Sequence, residues 1–286
     1  MAASACVLAT AAIMLSSAPA LLPAAATPGA SAAPLLTRGC PPGFDCAIGA
    51  RLDAVDSYLR DRPGITGYVL RDRVNGGVYA NENAEQQIWT ASTIKLAIAV
   101  DLLNRARVGA INFTPEDRGL LESMMATSND QAADLLWNKY AGFDRMAFNN
   151  AFRANGMATL VPQPTSTALF PDWSFQKCTA ADLDRLINNA LDTMHPDDRN
   201  YLVDRMRAVD SNQHWGVWGA GAGMRPGLKN GWSAEEGGWV VNSVGFAGAG
   251  ERYTLSIMTS LGAEGGYTEG AETDTKVAEL LLAGLR

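Results

Sequence analysis

Segments with strand character lie only near the two ends of this chain, on either side of a mainly helical block over residues 92–210. TGYVLRDRVNGGVYANE, residues 66–82, reads as a hairpin with Asn75-Gly76 as its turn. Far downstream, GLKNGW (227–232), GGWVVNSVGFAG (237–248) and RYTLSIMTSL (252–261) place β-branched and aromatic residues between Gly-rich turns. The expectation is one antiparallel sheet that takes strands from both ends, with the helical block inserted between them. The flanks are helical too. Ile48, Leu52, Val55 and Leu59 fall on one face of a helix that Pro63-Gly64 ends, and TDTKVAELLLAGL (273–285) closes the chain. The predicted fold class is α/β (α+β): a three-layer sandwich, antiparallel sheet with flanking helices, plus an inserted helical lobe. The α/β part comprises 47–91 and 211–286, and the lobe 92–210.

Within the lobe, helices are predicted over 92–106, 115–126, 130–140, 143–154, 179–193 and 196–209. Thr114-Pro115-Glu116-Asp117 and Thr179-Ala180-Ala181-Asp182 are N-terminal capping patterns. Residues 156–177 interrupt the series with three prolines and scattered Ser and Thr. They read as a long irregular loop, the kind of segment that often carries function.

The first 37 residues contain no charged side chain, and Ala30-Ser31-Ala32 fits a small-x-small cleavage signal. Residues 1–32 therefore read as a signal peptide, 33–46 as a Pro/Gly-rich lead-in, and the mature chain as secreted or cell-surface. Cys6 follows Ala-Ser-Ala, as a lipoprotein acceptor cysteine does, but with only five residues before it in this sequence anchoring there is not expected. No later stretch has the length of a membrane span. Of the cysteines left after cleavage, Cys40, Cys46 and Cys178, two can pair and one is left over; the spacing does not fix which. A net charge of −7 without clustered basic residues argues against nucleic-acid binding.

WTASTIKLAIAVDLL, residues 89–103, holds one of only five lysines in the chain, one helical turn after a serine. Residues i and i+3 share a helix face, so Ser92 and Lys95 are neighbours. A serine hydroxyl needs a base to become a nucleophile. A lysine amine can be that base once burial or nearby positive charge lowers its pKa. A helix N-terminus adds N–H groups that can hold an oxyanion. By itself S-x-x-K is weak, and Ser174-Phe175-Gln176-Lys177 is a second copy, in the irregular loop with no apolar run to bury its lysine.

Two further stretches join the first. MMATSNDQAADLLW (124–137) places Ser128 in a break between helices, and GLKNGW places Lys229 on a strand expected to turn at Gly231. S-T-I-K, S-N-D and K-N-G follow the order of the S-x-x-K, S-D-N and K-T-G set. On these motifs, residues 50–285 resemble the class A β-lactamase-like and penicillin-binding serine hydrolases of actinobacterial type. The resemblance implies an acyl-enzyme on Ser92, Lys95 as base or as sharing the proton with Ser128, Ser128 as proton relay and Lys229 as the cation that keeps the site positive. It implies an oxyanion hole from the N–H groups of Ser92 and Trp232, and substrate contacts from Asp130, Lys229, Asn230 and Trp232. It also marks departures. Asp130 stands where the family offers an amide, Asn230 where it offers a hydroxyl, and no glutamate lies between Glu122 and Glu235 to position a hydrolytic water. Asp172 is the only acid in the irregular loop.

The expected function is a secreted serine hydrolase acting on amides or esters through a Ser92 acyl-enzyme, with poor β-lactam turnover. The alternative is a catalytically inactive, penicillin-binding-like cell-wall binding module. The expected partner is cell-wall peptide or a β-lactam-like small molecule; no cofactor, metal or nucleic acid is expected, and the chain should be a monomer. His195 and His214 read as helix-start and packing residues, the GAGAG run at 219–223 lacks the Lys-Ser/Thr of a phosphate loop, and Trp215, Trp218, Trp232 and Trp239 gather around the third motif.

Overall fold

The computed structural model describes residues 39–165 and 169–285. The leader assigned to 1–32, Cys6 and the first part of the 33–46 lead-in lie outside the described residues. In chain order the elements are α1 (Ala47–Leu59), β1 (Ile65–Asp72), β2 (Gly77–Ala80), β3 (Ile88–Trp89), α2 (Ile94–Arg107), α3 (Pro115–Ala126), α4 (Asp130–Tyr140) and α5 (Ala147–Ala154). Then come β4 (Val161–Pro162), β5 (Gln176–Cys178), α6 (Ala180–Thr193), α7 (Pro196–Arg207), β6 (Gly227–Glu235), β7 (Gly238–Ala247), β8 (Tyr253–Ser260) and α8 (Tyr267–Leu282).

The five long strands form one antiparallel sheet in the order β2-β1-β8-β7-β6. The two ends of the chain meet where β1 pairs β8, from Ile65 opposite Ser260 to Asp72 opposite Tyr253. Strand side chains alternate between faces, and the two faces have different partners. Tyr68, Leu70, Leu255 and Ile257 pack against Leu52 and Val55 of α1 and Val277 and Leu281 of α8. Val69, Val244 and Met258 face the lobe, where they meet a core that includes Ile94, Ile98, Leu183 and Ile187. Thr114 and Thr179 close capping boxes with Asp117 and Asp182, as their sequence patterns predict.

Three local expectations are corrected. The helix expected over 143–154 begins only at Ala147, after a turn through Gly142 and Arg145, both at positive φ. The 156–177 segment is not wholly irregular: β4 and β5 lie in it, and β5 pairs β3 with Trp89 opposite Lys177. The third-motif strand does not turn at Gly231 but runs to Glu235, and the hairpin turns through Glu236-Gly237. Cys178 is buried, its Sγ 3.9 Å from Met258 Sδ, whereas Cys40 and Cys46 are both exposed. No helix among the described residues is long and apolar enough to cross a membrane.

Candidate active site

Ser92 does not sit inside the α-helix but in a 3-10 turn, Ala91–Thr93, that leads from β3 into α2. Ala91 has φ +44°, a region that a residue with a side chain occupies only when its surroundings impose it. Two contacts impose it here. Thr93 Oγ1 donates to Thr90 O at 2.6 Å, and the buried Asn242 on β7 donates through Nδ2 to Trp89 O at 2.9 Å and Thr90 O at 3.1 Å. Asn242 sits opposite Gly231 in the β6–β7 pairing. Sequence reasoning missed it; the pairing becomes legible only once the hairpin turn is placed at Glu236-Gly237.

From Ser92 the motif side chains run in sequence through Lys95 and Ser128 to Lys229. Lys95, fully buried, donates to Ser92 Oγ at 2.9 Å and to the backbone O of Ser128 at 2.6 Å. Ser128 sits in the break between α3 and α4 with φ +61°, and its Oγ lies 3.4 Å from Lys95 Nζ and 2.9 Å from Lys229 Nζ. One hydroxyl thus bridges two buried amines. Lys229 also donates to Asn230 O at 2.7 Å. Burial lowers the pKa of Lys95, with Asp130 and Asp134 opposing. Burial, then the charge on Lys95, holds Lys229 well below the ordinary lysine range. Two ammonium groups this close disfavour each other, and that repulsion adds to burial at Lys229.

The edge strand β6 brings the third motif alongside the turn. A Cβ on Gly231 would lie 2.7 Å from Ser92 N and 2.5 Å from Thr93 N, so only glycine permits this approach. Trp232 follows, half-buried and packed edge-on to Trp215 with centroids 5.9 Å apart. Edge strands carry N–H groups that no neighbouring strand takes up. Gly231 thus holds the third-motif strand directly against the Ser92 turn, with Trp232 next along the edge strand.

Asn230 is placed elsewhere. Alternation turns it to the opposite face from Lys229. There its Nδ2 donates to Gln213 O at 2.9 Å and its Oδ1 accepts from Ser243 Oγ at 2.7 Å. It is a wall residue with its amide satisfied behind the site, not a contact in the groove. Asp130 is the reverse case. It opens α4 behind the cap Asn129, whose Oδ1 accepts from Ala132 N at 3.0 Å, and its carboxylate pairs with Lys95 while remaining 73% exposed.

The 156–177 segment contributes an aromatic ring in place of a carboxylate. Trp173 lies with its ring centroid 4.6 Å from Lys95 Nζ, a cation–π contact, and its Nε1 donates to Asp134 Oδ1 at 2.7 Å. Asp172 is turned to its own loop, where Oδ1 accepts from Ser174 N at 2.9 Å and Ser174 Oγ at 2.7 Å. The second S-x-x-K copy runs into β5 instead of a helix, and Lys177 Nζ lies 4.5 Å from the Trp89 ring centroid. His195 caps α7 through Nδ1, and His214 stacks on Trp218 at 3.7 Å. No cluster of three or more His, Cys, Asp or Glu side chains suited to a metal ion occurs among the described residues.

No family model matches the chain. Over 71 residues, 25% of the chain, it is 41% identical to LppW of Mycobacterium tuberculosis and of Mycobacterium bovis, named as a candidate lipoprotein; the match spans 22% of that relative's length. Among solved structures, a β-lactamase from Xanthomonas campestris superposes with a TM-score of 0.68 at 17% identity, over 82% of this chain and 97% of the other. PenP of Rhodopseudomonas palustris, named as a candidate class A β-lactamase, gives 0.67 at 16% identity over 81% and 98%. A variant of the ancestral Gram-negative class A enzyme gives 0.66 at 19% identity over 84% and 98%. The chain has the class A β-lactamase fold.

Proposed function

We propose that the protein is an exported serine acyl-transfer enzyme of the β-lactamase and penicillin-binding type, acting on an amide or ester through Ser92. The observation that carries this is the shared network: Lys95 Nζ 2.9 Å from Ser92 Oγ, and Ser128 Oγ between Lys95 Nζ and Lys229 Nζ. Neutral Lys95 takes the Ser92 proton as Oγ attacks the acyl carbon. The N–H groups of Ser92 and Trp232 hold the oxyanion. Ser128 then gives its proton to the leaving nitrogen or oxygen and regains one from the amines beside it, leaving the acyl group on Ser92. Among the described residues no loop carboxylate is set to activate water on that ester. Trp173 covers Lys95, and Asp172 is spent on Ser174. The acyl-enzyme is therefore long-lived.

One observation favours a second reading, a binding module that keeps the fold without the reaction. The Lys95–Asp130 pair stabilises the ammonium form and so opposes the base. Intact mass after incubation with a fluorescent penicillin and with a fluorophosphonate separates the two. The enzyme reading expects one adduct per chain, absent in Ser92→Ala, present in Ser174→Ala, and slow nitrocefin turnover. No adduct with either probe leaves the binding module.

A further inference from the structure

Asp130 and Asp134 lie one helical turn apart on α4 and share a face. Asp130 pairs with Lys95 and stays 73% exposed, so most of its carboxylate remains open to a second donor. Asp134 is also exposed, and its Oδ1 accepts from the Trp173 indole. Both carboxylates act electrostatically on Lys95. Beside the nucleophile α4 thus presents two exposed carboxylates, which favour a cation, while the buried Trp173 ring faces Lys95. The wall that would hold an anion is weaker. Lys229 is buried behind Ser128 with its amine on Ser128 Oγ and Asn230 O, and the Asn230 amide faces away.

A carboxylate only accepts hydrogen bonds, so whatever Asp130 binds in a substrate must donate. Against two negative groups an ammonium is favoured over a neutral N–H, because charge-assisted bonds are about twice as strong. Asp130 and Ser92 bond the same amine, so the carboxylate lies within about two hydrogen-bond lengths of the nucleophile. Resting on the Ser92 reading, we infer that the site selects acyl compounds with a protonated amine a few bonds from the scissile acyl carbon, and that Asp130, supported by Asp134, selects them.

Two isosteric activated esters test this: 4-nitrophenyl 3-aminopropanoate, which is cationic at pH 7, and 4-nitrophenyl butanoate, which is neutral. The readout is the Ser92-dependent burst of 4-nitrophenolate, with Ser92→Ala as the background for each ester. The burst-rate ratio of cationic to neutral ester is expected to fall about tenfold in Asp130→Asn. It should fall about threefold in Asp134→Asn, which leaves the Lys95–Asp130 pair in place, and shrink in 1 M salt as exposed charges are screened. A ratio unchanged in both variants and by salt, with a Ser92-dependent burst present, overturns the amine preference alone. Absence of a Ser92-dependent burst from either ester in the unaltered protein overturns the acyl-transfer reading and this inference with it.

Discussion

Replacing Asp130 by Asn should make Ser92 react faster with a neutral acylating agent. The carboxylate stabilises the ammonium form of Lys95, and the reaction needs the neutral amine. A sealed ion pair is worth several kcal/mol, but Asp130 is 73% exposed, and water discounts the pair to about 1 kcal/mol. Burial still dominates and keeps Lys95 below the ordinary lysine range, so the rate should rise with pH and level off before that range is reached. Asn keeps the shape and one acceptor while removing the charge. At a pH on the rising limb, about 1 kcal/mol means roughly fivefold more neutral amine and a roughly fivefold faster reaction. On the plateau, where Lys95 is already neutral, the two proteins should react at equal rates. The assay is the second-order rate of fluorophosphonate labelling from pH 5 to 10, read by intact mass. An unchanged profile in Asp130→Asn, or one displaced toward alkaline pH, would refute the assignment of Lys95 as the base opposed by Asp130.

Gly231→Ala should suppress labelling of Ser92 by a hundredfold or more while the fold survives, because the new methyl would meet the Ser92 and Thr93 amides at 2.7 and 2.5 Å; labelling rate and circular dichroism check it together. Asp274→Asn should stabilise the protein in a pH-dependent way. Burial holds the Asp274 carboxyl well above the ordinary range, with only the Thr259 hydroxyl at 2.8 Å opposing. At pH 3 both folded and unfolded chains carry the proton and the variant gains nothing. Above about pH 4 the unfolded chain ionises while the folded chain resists, so the native protein loses stability that the Asn variant keeps. Thermal melts should show the variant ahead by several degrees at pH 7 and level at pH 3; a constant gap at both would contradict the burial argument.

The architecture was legible because it is written in hydrophobic pattern. Alternating strands at the chain ends, the Asn75-Gly76 turn and the two Thr-initiated capping boxes all announce themselves within short windows. The Ser92–Lys95 pair was legible for the same reason, since a one-turn spacing fixes who is adjacent. What escaped was long-range. Asn242 reaches the Ser92 turn only through the β6–β7 register, and that register depends on a hairpin turn misplaced at Gly231. Gly231 looked like a turn residue, yet its lack of a side chain serves close approach to Ser92. Asn230 was assigned by motif position, whereas strand alternation sends it to the other face. Trp173 lies in a segment with no periodicity, so nothing local tied its ring to an amine 78 residues earlier in the chain.

The central claim is that Lys95, and no other lysine, makes the Ser92 hydroxyl reactive. The most direct measurement is the rate at which a fluorophosphonate modifies Ser92, mapped by peptide mass, in Lys95→Ala beside Lys177→Ala. The account predicts a fall of about a hundredfold or more in Lys95→Ala, the range set by losing a positioned base, and an unchanged rate in Lys177→Ala. Modification of Ser92 at the same rate in both variants would contradict it.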